Sequence, residues 1–271
     1  MSSATSTLQA LRDQLRALAH PDEWAGRLGF KLDPWQADVL TTRKQRVILN
    51  CSRQSGKTEV AALKVLHTAI TKPGATCLLY SPSLRQSGEL FRRVLGPYRS
   101  VESSNPATRE TVLRIELENG SRVIALPGSE RTTRTYTADV VVVDEAARVP
   151  DAVFIGLRPM LAVSGGSLFL LSTPAGQFGH FAGIWTEGDP EAWHKVRITA
   201  PMLPGIALSP PEPDGVCSRI PVDYLEQERR EMREPIFLSE FYGEFLEGET
   251  AAFSHSAIEA AMSTEVEPWD L

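Results

Sequence analysis

Two short stretches carry residues that could act on a phosphate group. The first, ILNCSRQSGKTEV (residues 48–60), closes in Gly56-Lys57-Thr58. That is the end of the G-x-x-x-x-G-K-[ST] loop, whose backbone N–H groups face phosphates from a helix N-terminus. In that loop the lysine contacts the β/γ-phosphates and the hydroxyl ligates Mg²⁺. The start departs from the pattern. Cys51 stands where glycine is expected and would have to take a backbone shape that glycine takes more easily, and Arg53 lies inside the loop. The second stretch, VVVVDEA, ends a run of four valines in Asp144-Glu145. A carboxylate at that strand end could hold Mg²⁺ through water, the role for Asp144. The one beside it, Glu145, could orient water for attack on the terminal phosphate. The plainer readings are a chance G-K-T in coil and a pair of acids capping the next helix. A strand before the loop, a helix after it and the valine run make both readings the weaker ones. Together the stretches point to ATP hydrolysis, with phosphates on Ser52, Arg53, Gln54, Ser55, Gly56, Lys57 and Thr58.

Two further spots are weaker alone. SLFLLSTP ends a strand in Ser172-Thr173-Pro174, and hydroxyls at the carboxyl end of a strand lie where ligands bind in open α/β sheets. They could sense the terminal phosphate; a simple turn is the bland reading. KLDPWQADVL carries Trp35-Gln36. A glutamine amide both donates and accepts, which suits the N6/N7 edge of adenine, whereas Trp35 by default belongs to the core.

The elements that must position these residues follow a strand–turn–helix rhythm. RVILN leads into the loop and TEVAALKVLHTAI follows as a helix; ATCLLYSP and SLRQSGELFRRVL repeat the unit. TVLRIELENGSRVIAL breaks the rhythm with two alternating runs meeting at Asn119-Gly120, a hairpin signal. The valine strand, a helix near 152–161, SLFLLSTP, a helix near 178–186 and HKVRITA complete the series. Strands alternating with helices imply a doubly wound, mostly parallel α/β sheet. Leu8, Leu11, Leu15 and Leu18 recur at helical spacing, with Pro21 expected to end that helix. PMLPGIALSPPEPDGVCSRIP lacks periodicity and reads as a linker or surface loop. VDYLEQERREMREPIFLSEFYGEFLEG reads as an acidic amphipathic helical segment. The expected division is an arm over 1–30, a core over 31–200, a linker with a helical lid over 201–250, and a tail over 251–271.

Composition narrows the partners. At 271 residues with 42% hydrophobic and 23% charged residues, the chain can bury a core without staples. Its three cysteines are widely spaced and fit a reducing compartment. A formal net charge of -6 argues against a stand-alone DNA-binding module, so contact with nucleic acid would be local, transient or shared among subunits.

The set PWQ, CSRQSGKT, VVVVDEA, LLSTP with a following GHF, and FLSEFYGEFLEG resembles the ATPase half of the large terminase subunit of tailed bacteriophages, over roughly residues 32–248. SRQSGKT is the specific part, with its arginine inside the loop and its degenerate start. The resemblance implies a P-loop NTPase of the ASCE/RecA-like kind with a small C-terminal helical lid. It implies ATP and Mg²⁺ as cofactors, and a motor that moves double-stranded DNA into a procapsid. It makes Gln36 the adenine reader, places Arg53 near the phosphates, and makes Ser172 and Thr173 the motif coupling hydrolysis to movement. It also supplies an arginine finger reaching a neighbouring subunit. Arg134, ten residues before Asp144, matches best, with Arg131 as rival and Thr135 where the family often has glycine. Implied partners are DNA, a portal protein, a small terminase subunit and further copies in a ring, with the chain in isolation free to be monomeric. The implied location is the host cytoplasm at the portal vertex. Full-length members carry a nuclease domain after the ATPase. The residues after 248 cannot form one, so truncation is expected and nuclease activity is not. A helicase-like DNA-stimulated translocase and a non-catalytic nucleotide-binding assembly module are the competing readings.

Overall fold

The computed structural model describes residues 15–16, 19–102, 105–129 and 136–245. The helix expected over Leu8–Leu18 falls outside these residues except at Leu15–Arg16, which are helical; the tail after residue 245 also lies outside them.

A nine-stranded sheet runs through the molecule in the order β3-β4-β5-β2-β6-β7-β1-β8-β9. Its central strands are β1 (Arg46–Cys51), β2 (Thr76–Ser81), β6 (Val140–Asp144), β7 (Ser167–Ser172) and β8 (Trp193–Thr199). They pair in parallel throughout. Their runs of β-branched and leucine side chains are explained by burial on both faces. Because side chains alternate across a strand, Val140 and Val142 enter one apolar cluster while Val141 and Val143 enter the other. Val47 and Leu49 are likewise separated from Ile48.

Helices cover both faces. One cluster takes α1 (Pro21–Arg27), α2 (Pro34–Thr41), α3 (Lys57–Thr71) and α4 (Leu84–Tyr98); the other takes α5 (Asp151–Ala162) and α6 (Gly179–Glu187). The late helices α7 (Val222–Glu231) and α8 (Glu234–Tyr242) share the first cluster through Leu225, Phe237, Phe241 and Tyr242. They arise from one expected helical run that breaks at Met232-Arg233, where Pro235 then occupies the first turn of α8.

The hairpin stands where Asn119-Gly120 put it, between antiparallel β4 (Arg114–Leu117) and β5 (Arg122–Pro127), with Gly120 at φ +83°. A short β3 (Ala107–Glu110) extends that edge and was not expected. Pro21 opens α1, a position that costs no hydrogen bond because the first N–H of a helix has no partner. It therefore does not serve only as the stop read from the sequence. The Pro-rich segment is more than a linker. It adds β9 (Gly215–Val216) parallel to β8, returning residues 217–219 to the phosphate loop.

Candidate functional site

β7 lies between β1 and β6, so the two chemically loaded strand ends are separated by one strand. The register sets Asn50 level with Ser172, and Leu171 level with Asp144. All three strands end on the same side because all are parallel, and the loop, the acids and the hydroxyls meet there.

The loop corrects the expectation at its start. Cys51 is the last residue of β1, paired with Ile198, and has no positive φ, so glycine is not needed there. Its thiol is buried, and desolvation pushes it up to about 12, which leaves it a packing group. The unusual backbone comes later, with Gln54 at φ 60° and Gly56 at φ 92° before α3 begins at Lys57. Two N–H groups at the start of the loop already have carbonyl partners. Ser52 N–H donates to the Ile198 carbonyl at 2.8 Å and Arg53 N–H to the Glu240 carbonyl at 3.1 Å. Among the described residues the N–H groups of Gln54, Ser55 and Gly56 are given to no backbone carbonyl outside a helix or strand. With those of Lys57 and Thr58 at the helix start, they are the N–H groups that an anion could meet here.

Lys57, Thr58 and Glu145 line a cleft of about 530 Å³, and Asp144 lies behind them in contact with Thr58. Thr58 Oγ1 donates to Asp144 Oδ2 at 3.2 Å. Lys57 Nζ lies 3.8 Å from Glu145 Oε1. Desolvation raises Asp144 above the usual carboxylate range; Lys57 opposes that rise, Glu145 adds to it, and the Glu145 N–H and Thr58 hydroxyl oppose it. Glu145 itself sits at φ 51°, an uncommon conformation for a residue with a side chain, stabilised by its N–H donating to Asp144 Oδ1 at 3.0 Å.

The residues fit a Mg²⁺ ion. A hydroxyl and one carboxylate, completed by phosphate oxygens and water, are the donors this ion takes. Lys57 offsets the desolvation of Asp144 only in part, so a cation at Thr58 and Asp144 would favour the charged carboxylate. No group of three or more His, Cys, Asp or Glu that could hold a metal is found among the described residues.

The remaining expected residues stand differently. Arg53 borders the cleft, but its guanidinium is bonded to Glu240 on α8 through Nε and Nη2. Gln36 is buried; its Oε1 accepts from Asp33 N–H at 2.9 Å and its Nε2 donates to the Gly56 carbonyl at 3.3 Å. In this structure it caps α2 and braces the loop. Ser172 Oγ donates to the Thr173 carbonyl at 2.6 Å and accepts from Ala147 N–H at 3.3 Å. Arg134, like Arg131, lies outside the described residues.

Three arginines went unread. Arg148, three residues after Glu145, touches Glu145, Thr173 and Glu240; its spacing from the acid pair was a usable signal. Arg219 reaches the Ser55 carbonyl and Asp33 from the Pro-rich segment. Arg197 is buried on β8 and donates to the carbonyls of Tyr242, Ser209 and Pro211 and to Glu244. Neither had a local signal, since their partners lie far along the chain.

A parallel sheet with a phosphate loop after one strand, an acid pair after another and a strand between them defines a P-loop NTPase of the ASCE kind. The model of the family described as terminase large subunit, T4likevirus-type, N-terminal, matches residues 48–260, and the chain belongs to that family. The large terminase subunits of Thermus virus P23-45 and Thermus phage G20c are each 26% identical to it over 182 residues, 60% of this chain. The match takes in 38% of the length of those relatives. Among solved structures, the large terminase ATPase domain of Thermus phage P74-26 superposes with a TM-score of 0.66 at 20% identity, covering 83% of this chain and 98% of that one. The large terminase of a thermophilic bacteriophage in complex with ATP-γ-S gives a TM-score of 0.59 at 15% identity, covering 80% of this chain and 53% of that one.

Proposed function

We propose that the chain is the ATP-hydrolysing part of a viral DNA-packaging motor. The observation that carries the reading is that Lys57, Thr58 and Glu145 line one cleft, with Lys57 beside Glu145 and Thr58 bonded to Asp144. The triphosphate would lie against the N–H groups of Gln54 to Thr58, with Lys57 on its terminal groups. Mg²⁺ would be held by Thr58 and Asp144 and would neutralise charge on the β- and γ-phosphates. Glu145 would orient the attacking water and take up its proton as the oxygen–γ-phosphorus bond forms and the bond to the β–γ bridging oxygen breaks, releasing ADP and phosphate. Positive charge from Arg53, or from Arg134 of a neighbouring copy, stabilises the transition state. Arg53 would first have to leave Glu240.

Ser172 and Thr173 adjoin the turn that carries Glu145, which supports a role in passing the state of the nucleotide to α8 and the sheet edge. Movement of double-stranded DNA, a ring of copies with head-to-tail contacts, and engagement of a portal protein and a small subunit belong to the same reading. They rest on family membership. Gln36 could read adenine only by exchanging one of its present partners or using its second amide hydrogen.

Mg²⁺-dependent ATP hydrolysis by the unmodified chain and by Glu145→Gln tests the reading. The expected loss is about 10²–10⁴-fold in turnover, with nucleotide affinity retained. Equal rates would favour a non-catalytic nucleotide-binding module.

A further inference from the structure

We infer that Arg148 is a positioning residue for Glu145, and that it ties the direction of that carboxylate to both the end of β7 and helix α8. The inference rests on the reading of Glu145 as the water-orienting acid. Arg148 closes the short turn Ala146–Arg148 that follows β6. Its Nη1 donates to Glu145 Oε2 at 2.8 Å and to Thr173 Oγ1 at 3.3 Å, while its Nη2 stands 3.6 Å from Glu240 Oε1. One planar guanidinium therefore meets three elements at once, which its rigid fork of donors allows and a lysine ammonium would not reproduce.

The need for such a support is visible at Glu145. Its backbone is in the left-handed region and its side chain reaches into an open cleft. A general base must be held to within about half an ångström of its working position. The two carboxylate oxygens are held separately, Oε1 facing Lys57 at 3.8 Å and Oε2 facing Arg148 at 2.8 Å. Lys57 is the residue drawn toward a bound triphosphate. Once it turns to the phosphates, Arg148 is the cation that keeps a hydrogen bond to Glu145, with Arg53 acting on it only from farther off.

Glu240 makes this hold responsive. It accepts from Arg53 of the phosphate loop as well as lying beside Arg148, and it is carried on α8. Departure of Arg53 from Glu240, or displacement of α8, changes the charge facing Arg148 and hence its grip on Glu145. The turn is braced from the other side by Ala147 N–H on Ser172 Oγ at 3.3 Å. A surface pair three residues apart would by itself contribute little. It is the simultaneous contact with Thr173 and Glu240 that separates Arg148 from such a pair.

A square of variants tests this: the unmodified chain, Arg148→Gln, Glu145→Gln and both together. Single-turnover Mg²⁺-ATP hydrolysis, binding of a fluorescent non-hydrolysable ATP analogue and thermal melting are measured on each. The expected results are a loss of about 10–100-fold in the chemical step for Arg148→Gln, analogue affinity within about twofold, and a double variant no slower than Glu145→Gln alone. Arg148→Lys, which keeps charge and most of the bulk, should fall between, and it carries the test should Arg148→Gln melt early. Losses that multiply in the double variant, an unchanged rate in Arg148→Gln and Arg148→Lys, or a loss confined to affinity would overturn the inference. Failure of the underlying reading looks different: Glu145→Gln would then turn over like the unmodified chain.

Discussion

The acid-and-lysine half of the cleft and the arginine half are built by opposite means. Asp144 ends β6 with Glu145 next to it, and Lys57 and Thr58 open α3 after the short loop that leaves β1, so elements adjoining the sheet aim them. Arg53 and Arg219 are held by partners 187 and 186 residues away along the chain. Arg148 joins the same set through Glu240. These groups are thus placed by the sheet and the helix after β1, while the cations that would tune them depend on segments arriving late in the chain. Under the proposed function, such a division would let the phosphate chemistry stay constant while α8 and the Pro-rich segment regulate it.

The comparison can be broken at several points, the largest effect first. Arg134→Ala should lower hydrolysis of assembled protein by about 10³–10⁵-fold if that residue is the finger. Mixing it with Glu145→Gln subunits should restore part of the activity when the finger acts in trans. No restoration, with both variants folded and assembled, counts against a finger acting in trans.

Next in size is Arg197→Ala, which strips a buried arginine from Glu244 and three carbonyls. Breaking a buried pair in this way should cost about 3–5 kcal/mol in urea unfolding. A much smaller loss would mean that the apolar contacts of Leu225, Phe237, Phe241 and Tyr242 suffice to hold the late segment on the core. Gly56→Ala should cost about 1–2 kcal/mol because of the left-handed φ of 92°. It should also weaken nucleotide binding measurably in a titration, since the added Cβ would come within 2.6 Å of Gln36 Nε2.

The smallest expected effect has the opposite sign. Desolvation raises Asp144 from its ordinary 3.8. The fold therefore favours the neutral form, and this contribution is fully present below the unfolded carboxylate range and lost as pH rises through the raised folded value. Asp144→Asn should accordingly raise the melting temperature without nucleotide at pH 7–8, with the gain vanishing below about pH 4. The same variant should lose the extra stabilisation that Mg²⁺-ATP confers on the unmodified chain.

What was legible in the sequence follows the same division. The valine run, the G-K-T loop and the Asn119-Gly120 turn encode their structure locally, through alternation, helix start and turn chemistry. Cys51 misled because a motif position was taken for a conformation; the strand runs one residue further, and Gln54 and Gly56 bear the left-handed turn instead. Gln36 could be picked out as important, yet its bond to the Gly56 carbonyl depends on α2 lying against the loop. Arg219 and Arg197 were illegible because nothing within ten residues announces partners that only the folded chain supplies. Arg148 lay in between, three residues from the acid pair but dependent on Glu240 for its meaning.

The most direct test is a structure of the chain with Mg²⁺ and a non-hydrolysable ATP analogue. The expected result has the phosphates on the N–H groups of Gln54 to Thr58, Lys57 on the terminal phosphate, and Glu145 facing that phosphate across a water molecule. A triphosphate bound away from the loop, or a Glu145 turned out of the cleft while nucleotide fills it, would contradict the assignment of this site.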